Sequence, residues 1–402
     1  MALLSVAEAL ERVLAHAAPL PAEEAPLAEA AGRVLALPLK ARRTQPPADV
    51  SAMDGYAVQA ADVENVPARL KVIGEVAAGR PFLHAIGPGE AARIFTGGVL
   101  PAGADTIVIQ ENTKREGDCV EVEKPSAKGR HIRAQGLDFK AGDVLLEAGL
   151  RLSARDLALA AAMNHPLVPV HRRPKVALVA TGDELVPPGV EPGPGQIVSS
   201  NLFALGALAH GEGAQVADLG IVGDRLDDTV AVVRKARELG ADVLVTSGGA
   251  SVGDYDLVQK ALNAEGVALS FWKLALRPGR PLMHGRLGAM HVLGVPGNPV
   301  SAFVCGFLFL TPLIRRLAGR SDLAAAIETA LLGVDLPEND ERADYLRATL
   351  EETPRGPAAT PFPVQDSSMM APLAKAGCLL LREPFAAAAK AGDKCRIILL
   401  PH

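Results

Sequence analysis

The sequence predicts a multidomain protein built around a central doubly wound α/β domain. A β-rich insertion domain, a helical segment and a small C-terminal β-barrel complete the predicted fold. The chain has 402 residues, which is too long for one ordinary hydrophobic core. Between residues 174 and 320, short apolar runs alternate with helical stretches, as buried parallel strands do in α/β sheets. The other sections are punctuated by glycine and proline between short strand-like segments.

The first section, residues 1–43, is predicted to be helical. Ser5 and Glu8 have the spacing of a capping box, which indicates an amphipathic helix rather than a signal peptide. Helical character returns in LSARDLALAAAM, where Ser153 is the expected N-cap and Asp156 follows three residues later. We expect residues 140–173 to pack against residues 1–43 as one discontinuous domain.

A β-rich domain is predicted for residues 44–139, and the paired prolines of KARRTQPPADV mark the boundary before it. Within it, DTIVIQENTKREGDCVEVEK predicts two strands joined by a turn at residues 115–118. The α/β domain follows at residues 174–320, with strands predicted at KVALVA, ADVLVTS and MHVLGV. Residues 321–402 return to short strands and end in KCRIILL, which predicts a C-terminal β domain.

The bulk composition excludes two classes of partner. The net charge is −5 and no run of Lys and Arg occurs, so we expect no nucleic acid. The longest apolar run, residues 302–310, is too short to span a bilayer and is followed by Pro312, so we expect a buried helix and no membrane. The four cysteines are scattered without a Cys-x-x-Cys pair, which favours reduced thiols and a cytoplasmic location.

Three predicted strands end in polar, glycine-containing loops: TGDEL, GGASVGDYD and PGNPVS. Ligands of open parallel sheets bind at the carboxyl ends of the strands. Glycines let backbone amides approach an anion, and the helices that follow favour negative charge at their N-termini. The three loops together predict a phosphate-binding crevice.

Acidic residues stand in or near these loops. They are Asp183, Glu184, Asp224, Asp254 and Asp256. Carboxylates beside phosphate-binding amides favour a divalent cation, and Mg²⁺ is the ion that prefers oxygen ligands of this kind. Helix capping explains Asp183 equally well, and for Asp224 the two interpretations have equal weight.

A basic loop, FWKLALRPGRP, carries Lys273, Arg277 and Arg280 around a Pro-Gly turn. It is either a solvated loop or, beside an acidic metal site, a receptor for a second anion. The sequence contains no Gly-x-Ser-x-Gly elbow, and we interpret His284 and His291 as structural. These features favour metal-assisted attack on a phosphoryl centre over covalent catalysis.

Read together, these loops resemble the molybdopterin molybdenumtransferase family, the enzymes that insert molybdate into adenylylated molybdopterin. The resemblance covers essentially the whole chain. Its motifs occur in the family's order: SAMDGYA, IFTGGVLPAGADTIVIQE, HIRAQGLDFKAGD, TGDEL, SGGASVGDYD, RPGRP and LGVPGNPVSAF.

The resemblance implies an elongated, four-domain homodimer whose α/β domain is similar to molybdopterin adenylyltransferases. It also implies that the β-rich domain of one subunit closes the crevice of the other. The implied catalytic residues are Asp54, Thr96, Asp138, Glu184, Asp224 and Asp256, of which the last three hold Mg²⁺. The implied substrate-binding residues are Thr181, Gly182, Ser247, Gly248, Gly249, Gly253, Lys273, Arg277, Arg280, Pro296, Gly297, Asn298, Pro299, Ser301, Arg347 and Ser368.

The chain departs from the family pattern at Arg277 and Arg280, where the family commonly has lysines. A second departure is Asp366, which places a negative charge beside the expected anion contact at Ser368. The function implied is Mg²⁺-dependent insertion of molybdate into adenylylated molybdopterin with release of AMP. The alternatives are a non-catalytic carrier or scaffold for the cofactor, and a molybdopterin adenylyltransferase. The expected partners are the substrates, a second copy of the chain, the preceding adenylyltransferase and apo-molybdoenzymes; the sequence does not distinguish molybdate from tungstate.

Overall fold

The computed structural model describes residues 3–80, 82–248 and 257–401 of the chain. In that range the chain forms a central α/β domain, a β-rich domain, a small mixed unit and a C-terminal barrel. This architecture confirms the predicted fold class. The positions of the predicted domain boundaries stay predictions.

The N-terminal helix is shorter than the sequence predicts. Helix α1 covers Val6–Leu14, and its capping box forms as expected, with the Glu8 amide donating to Ser5 Oγ at 3.2 Å and the Ser5 amide donating to Glu8 Oε2 at 3.0 Å. Strands β1 (Ala22–Pro26) and β2 (Leu39–Lys40) replace the predicted helix after residue 14. Four prolines between residues 19 and 38 explain the difference, because proline disrupts helix interiors.

The β-rich domain centres on a six-stranded sheet with the order β7-β4-β6-β5-β9-β8. The strands of the domain are β3 (Val50–Ser51), β4 (Gly55–Val58), β5 (Ala68–Val76), β6 (Glu90–Ile94), β7 (Thr106–Ile109), β8 (Thr113–Glu116), β9 (Cys119–Val122) and β10 (Ile132–Arg133). Of these, β3 and β10 flank the six-stranded sheet. The predicted turn joins β8 to β9, where Glu116 pairs with Cys119. A 3₁₀ turn at Gln110–Asn112 divides the first predicted strand into β7 and β8.

The chain then returns to the N-terminal segment through β11 (Val144–Leu146), helix α2 (Ala154–Ala162) and β12 (Leu167–His171). The Ser153 amide donates to Asp156 Oδ2 at 2.8 Å, as the predicted cap requires. β12 pairs with β1 and β11 with β2, both antiparallel, around a small core of their own. Helix α1 lies outside this unit, because Ala9 and Val13 are buried in the core of the α/β domain.

The α/β domain contains a six-stranded sheet with the order β16-β13-β17-β21-β20-β18. Its elements are β13 (Lys175–Thr181), β14 (Leu185–Val186), β15 (Ile197–Val198), α3 (Asn201–Gly211), β16 (Gln215–Val222), α4 (Leu226–Glu238), β17 (Val243–Ser247), α5 (Leu257–Ala264), β18 (Ala268–Lys273), β19 (Leu276–Arg277), β20 (Pro281–Leu287), β21 (Met290–Val295), α6 (Pro299–Cys305) and α7 (Thr311–Leu317). Strands β16, β13, β17 and β21 are parallel to one another, β20 is antiparallel to β21, and β18 is antiparallel to β20. The parallel sheet that the sequence predicts is therefore mixed, because β20 runs against the other five strands.

Alternate residues of β13 belong to separate cores on the two faces of this sheet. Val176, Leu178 and Ala180 belong to one core, and Ala177 and Val179 belong to the other. Burial on both faces explains why these strands are almost wholly apolar.

The C-terminal domain is a closed barrel of five strands. Its elements are β22 (Glu328–Leu332), β23 (Ala343–Thr353), β24 (Gly356–Pro361), α8 (Met370–Lys375), β25 (Cys378–Arg382) and β26 (Lys394–Leu399). Pairing of β23 with β25 closes the ring β23-β24-β22-β26-β25. Strand β19 of the α/β domain pairs with β23, so the basic loop is joined directly to the barrel.

One helical stretch, Pro299–Leu317, is long and apolar enough to cross a membrane by length and composition. It consists of α6, a π-helical turn at Gly306–Leu310 and α7, and 78% of the apolar stretch is buried inside the protein. Such burial is typical of a core helix, which is what the sequence predicts for this segment.

Candidate active-site cleft

A cleft of about 1370 Å³ lies at the carboxyl ends of β13, β17 and β21. The basic loop between β19 and β20 also lines it, as do Gln365, Ser367, Ser368 and Met370 of the C-terminal domain. The cleft brings together these predicted site residues: Thr181, Gly182, Glu184, Asp224, Ser247, Gly248, Arg277, Arg280, Pro296, Gly297, Asn298, Pro299, Ser301 and Ser368. The strand-end loops therefore converge, as expected for a sheet of this topology.

Gly248 follows β17 at the floor of the cleft. Its φ is +92°, and a Cβ at this position would lie 2.6 Å from the Thr181 carbonyl oxygen. Both the backbone conformation and the space require glycine. The loops after β13 and β17 can therefore approach more closely than any side chain would allow.

Asn201 joins two of the loops, although the sequence did not single it out. Its Nδ2 donates to Ser247 Oγ at 2.8 Å and to the Gly297 carbonyl oxygen at 2.7 Å. Since Asn201 is the first residue of α3, one side chain fixes this helix to the ends of β17 and β21. The signal in the sequence is a polar Ser-Ser-Asn run just before an apolar helix.

Among the described residues, two acidic side chains line the cleft, and a third has a structural role. Asp183 Oδ1 accepts a hydrogen bond from the Asp224 amide at 3.0 Å, so Asp183 ties the loops after β13 and β16 together. Within the described ranges, the carboxylates of Glu184 and Asp224 make neither a hydrogen bond nor an ion pair, and both line the cleft. Asp256, with Gly249 and Gly253, lies outside the described residues.

The two carboxylates of the cleft fit a Mg²⁺ site that the substrate helps to complete. Residues 3–80, 82–248 and 257–401 contain no group of three His, Cys, Asp or Glu side chains close enough to form a complete metal site. Protein Mg²⁺ sites commonly use one or two carboxylates together with substrate phosphates and water. Glu184 and Asp224 supply such a pair beside the predicted phosphate loops.

The basic loop packs closely against α6. Gly279 has a φ of +113°, and a Cβ there would lie 2.7 Å from Cys305 Sγ. Arg277 and Arg280 line the cleft on either side of this glycine. Lys273, the third predicted cation, is exposed at the end of β18 and does not line the cleft.

Arg277 is paired with the barrel. Its guanidinium bonds to Asp340, and its Nε lies 3.4 Å from Asp344 Oδ1. Asp344 is 7% exposed, and this burial raises the pKa of its carboxyl. Arg277 therefore contacts the cleft and the C-terminal domain at once.

The barrel contributes a loop whose polar groups are already engaged. Asp366 Oδ1 accepts from the Ser368 amide at 2.8 Å and from Ser368 Oγ at 2.5 Å. These two hydrogen bonds, the hydroxyl first, lower the pKa of the Asp366 carboxyl. Beside them, Asn298 Nδ2 donates to Ser367 Oγ at 3.0 Å. The Ser368 hydroxyl is thus directed to Asp366 rather than free to meet an anion.

Arg347 supports the same loop. It is 1% exposed, and its Nη1 donates to the Met369 carbonyl oxygen at 2.8 Å while its Nε donates to Gln365 Oε1 at 3.2 Å. Arg347 is not among the residues that line the cleft, and its role as an anion contact stays a prediction. Gln365, which Arg347 holds, does line the cleft and was not predicted.

The structure pairs two predicted residues of the β-rich domain with each other. The Thr96 amide donates to Asp54 Oδ1 at 2.7 Å, and Thr96 Oγ1 donates to the same oxygen at 2.8 Å. These bonds, the amide first, lower the pKa of the Asp54 carboxyl. Asp54, Thr96 and Asp138 are not among the residues that line the cleft of the single chain.

Several further residues line the cleft that motif matching missed. Besides Asn201 and Gln365 they include Lys260 on α5 and Arg342. They come from helices and from the barrel, where no glycine-rich motif marks them. Their contribution follows from packing between domains rather than from a local sequence pattern.

Three family models match consecutive parts of the chain. They are the MoeA N-terminal region (domain I and II) at residues 4–164, the probable molybdopterin binding domain at residues 177–316, and the MoeA C-terminal region (domain IV) at residues 329–400. The matched order is the order in which the structure presents these parts.

Curated relatives agree with these models. A molybdopterin molybdenumtransferase of Nostoc sp. is 39% identical over 330 residues, covering 79% of this chain and 75% of the relative. One of Haemophilus influenzae is 33% identical over 382 residues, covering 94% of this chain and 93% of the relative. A crystal structure of a molybdopterin biosynthesis MoeA protein from Pyrococcus horikoshii matches all of both chains, with a TM-score of 0.85 and 31% identity.

Proposed function

Because the chain belongs to the molybdopterin molybdenumtransferase family, we propose that its cleft binds adenylylated molybdopterin and molybdate, inserts the molybdenum and releases AMP. The chain is a transferase of molybdenum cofactor biosynthesis, and molybdopterin is the substrate that its family processes. The dependence on Mg²⁺, the release of AMP and the identity of the oxyanion are our proposals. The observation that carries them is the convergence of glycine loops, unpaired carboxylates and a basic loop on one cleft.

The glycine loops are suited to the phosphates of the substrate. Gly248 and Gly297 lie at the carboxyl ends of adjacent parallel strands, and Asn201 holds both loops in place. Backbone amides without nearby side chains, together with helix N-termini, bind phosphate through hydrogen bonds and the helix dipole. We therefore assign the phosphoanhydride of the substrate to this part of the cleft.

The two acidic side chains are suited to Mg²⁺. Glu184 and Asp224 would hold it, together with Asp256, which lies outside the described residues. When bound, the ion would offset negative charge that develops on the phosphoryl oxygens. The chain's own residues fix the loops around it, because Asp183 holds the Asp224 amide and Asn201 holds Ser247.

The second substrate is an oxyanion, which the basic loop can receive. Arg280 and Arg277 line the same cleft as the strand-end loops. A guanidinium offers several N–H donors in one plane, which suits oxyanion recognition. We expect molybdate there, and tungstate should bind similarly because its size and charge are almost the same.

We further propose that the active protein is a cytoplasmic homodimer. Asp54 and Thr96 form a polar pair in the β-rich domain but lie outside the cleft of their own chain. A second copy could bring this pair to the cleft, as the family resemblance implies. The four free thiols support a reducing compartment. The preceding adenylyltransferase and apo-molybdoenzymes are the proposed transient partners.

AMP release tests the proposal. Purified protein receives adenylylated molybdopterin, Mg²⁺ and molybdate, with omission of molybdate or Mg²⁺ as controls. Glu184→Gln and Asp224→Asn should each abolish molybdate-dependent AMP release, whereas Asp227→Asn, which removes an exposed charge outside the cleft, should not. Tight substrate binding without AMP release would indicate a carrier instead, and normal turnover in both cleft variants would exclude the proposed metal site.

A further inference from the structure

The two arginines of the basic loop have different electrostatic surroundings. Arg277 is in ion pairs with Asp340 and Asp344 of the barrel. Arg280 makes no ion pair or side-chain hydrogen bond with any residue that the structure describes, and it is exposed in the cleft. One of the two charges is therefore neutralised locally, and the other is not.

The carboxylates that neutralise Arg277 are held by the barrel itself. Asp340 Oδ1 accepts from the Arg342 amide at 3.0 Å, and its Oδ2 lies 3.3 Å from Arg342 Nη2. Asp344 is on β23, in register with Arg277 on β19. Backbone pairing therefore places Asp344 beside Arg277, and the bonds to Arg342 hold the Asp340 carboxylate.

Arg277 also stands at the boundary between two cavities. It lines the main cleft and a second cavity of about 550 Å³, which the barrel lines with Asp335, Asp340, Asp344 and neighbouring residues. The guanidinium thus faces carboxylates on one side and the cleft on the other. An oxyanion that binds Nη2 of Arg277 must compete with Asp340 for that donor.

We propose that Asp340 and Asp344 hold Arg277 as a positioning residue that ties the basic loop to the barrel, and that Arg280 supplies the charge that binds the oxyanion. Asp340 therefore limits the affinity of the loop for oxyanions. This inference rests on the proposed function, since molybdate on the basic loop is part of that proposal.

The test is a binding measurement with sodium molybdate on the full chain by isothermal titration calorimetry. The variants are Asp340→Asn, Arg277→Ala, the double variant of these two, and Arg280→Ala. Asp335→Asn is the matched control, because it also removes one negative charge from the second cavity. The Asp335 carboxylate, however, pairs with Lys390 and not with Arg277. Asp344 is not substituted, because its side chain is buried.

We expect Asp340→Asn to bind molybdate about two- to fivefold more tightly than wild type, which is the range for releasing one partly exposed charge pair. Arg280→Ala should weaken binding about tenfold or more, because it removes charge-assisted hydrogen bonds. The gain from Asp340→Asn should vanish when Arg277 is already Ala. A merely structural role of Asp340 would not give this dependence on Arg277.

Four results would overturn the inference while leaving molybdate binding intact. They are unchanged affinity in Asp340→Asn, an equal gain in Asp335→Asn, a gain that persists in the double variant, and an equal loss in Arg277→Ala and Arg280→Ala. Absence of molybdate binding in wild type and in every variant would instead overturn the oxyanion assignment of the proposed function.

Discussion

At the scale of single residues, the cleft depends on a glycine without a side chain as much as on its polar side chains. Gly248 allows the loop after β17 to lie against the Thr181 carbonyl oxygen, which no other residue would permit. Asn201 then fixes the loop by donating to Ser247. The glycine was predictable because it belongs to a loop motif that follows an apolar strand. Asn201 was not, because its partners come from two other parts of the chain.

Replacement of Gly248 by Ala should cost both stability and substrate binding. The positive φ alone costs about 1–2 kcal/mol for a residue with a Cβ, and the Cβ would also contact the Thr181 carbonyl oxygen at 2.6 Å. Gly240→Ala is the matched control, since Gly240 has a φ of +65° and a Cβ added there would meet nothing within 4 Å. Thermal unfolding and the KM for adenylylated molybdopterin check this prediction.

Both variants should unfold at lower temperature than wild type, but only Gly248→Ala should raise the KM. An unchanged KM in Gly248→Ala would mean that the loop after β17 does not contact the substrate. An equal rise in Gly240→Ala would point to a general loss of stability.

At the scale of elements, the sequence predicts strands better than it predicts their direction or partners. The runs that form β13, β17 and β21 were identified because burial on both faces leaves them nearly all apolar. The reversed direction of β20 was not distinguished, because an apolar run does not encode the direction of its neighbour. The helix predicted beyond residue 14 fails for a local reason, since the prolines of that segment prevent it.

A buried ion cluster joins α3 to α7 and the segment that leads to the barrel. Glu212 Oε1 lies 2.7 Å from Arg315 Nη2, and Glu212 Oε2 lies 2.5 Å from Arg320 Nη1, with all three side chains at most 15% exposed. Glu212→Ala should lower the free energy of unfolding by about 3 kcal/mol, because it removes the ion-pair partner of the buried Arg315, whereas Arg320 keeps its pair with Asp322.

The control for Glu212→Ala is Glu383→Ala, which breaks an ion pair with Arg396 whose two side chains are more than half exposed. Exposed pairs of this kind contribute about 1 kcal/mol or less. Chemical denaturation measures both variants. Equal losses in the two would contradict the importance that we assign to burial of the Glu212 cluster.

The pair His284 and His291 lies in the interior, on β20 and β21. Burial first, and then the charges of His291, His16 and Arg286, lower the pKa of His284 to about 4. Burial first, and then Arg286 and His16, lower the pKa of His291 to about 4, which Asp242 partly opposes. The histidine rings stack with centroids 5.8 Å apart.

These shifts predict that stability falls on acidification. The folded state keeps both imidazoles neutral down to about pH 4, whereas in the unfolded chain they take up protons below about pH 6.5. The stabilisation is therefore complete above about pH 6.5 and is lost progressively as the pH falls towards 4. Between about pH 6.5 and 5 the loss should be roughly 2–4 kcal/mol for the pair.

The measurement is the free energy of unfolding as a function of pH for wild type, for the double variant His284→Gln and His291→Gln, and for His210→Gln as an exposed control. The slope below pH 6.5 should flatten in the double variant and persist in the control. A slope that is the same in all three proteins would assign the acid sensitivity to other groups.

At the scale of the whole molecule, the least predictable features are those that depend on contacts between domains. Arg347 is buried beneath the loop that carries Gln365, and no motif in the sequence indicates this position. Pairing of β19 with β23 brings the barrel to the cleft, and neither strand carries a motif for this contact. Motifs identify which residues the chemistry needs, whereas the assembly decides which of them meet.

The proposed homodimer predicts that two inactive variants can restore activity in each other, which a site within one chain would not allow. If Asp54 of one subunit completes the cleft of the other, Asp54→Ala and Asp224→Asn each disable both sites of their own homodimer. A heterodimer of the two variants has one site in which both residues are wild type. Unfolding and refolding an equal mixture should therefore restore about a quarter of wild-type activity, as random pairing in a two-fold dimer requires.

Molybdate-dependent AMP release measures this complementation, with each refolded variant alone as the baseline. A mixture of Asp54→Ala with Thr96→Ala is the matched control, because both substitutions lie in the β-rich domain on the same hydrogen-bonded pair. No heterodimer of these two has an intact site if the site is shared as proposed. Recovery in the first mixture and none in the control would place Asp54 and Asp224 of one site on different chains, since no arrangement within one chain gives that asymmetry.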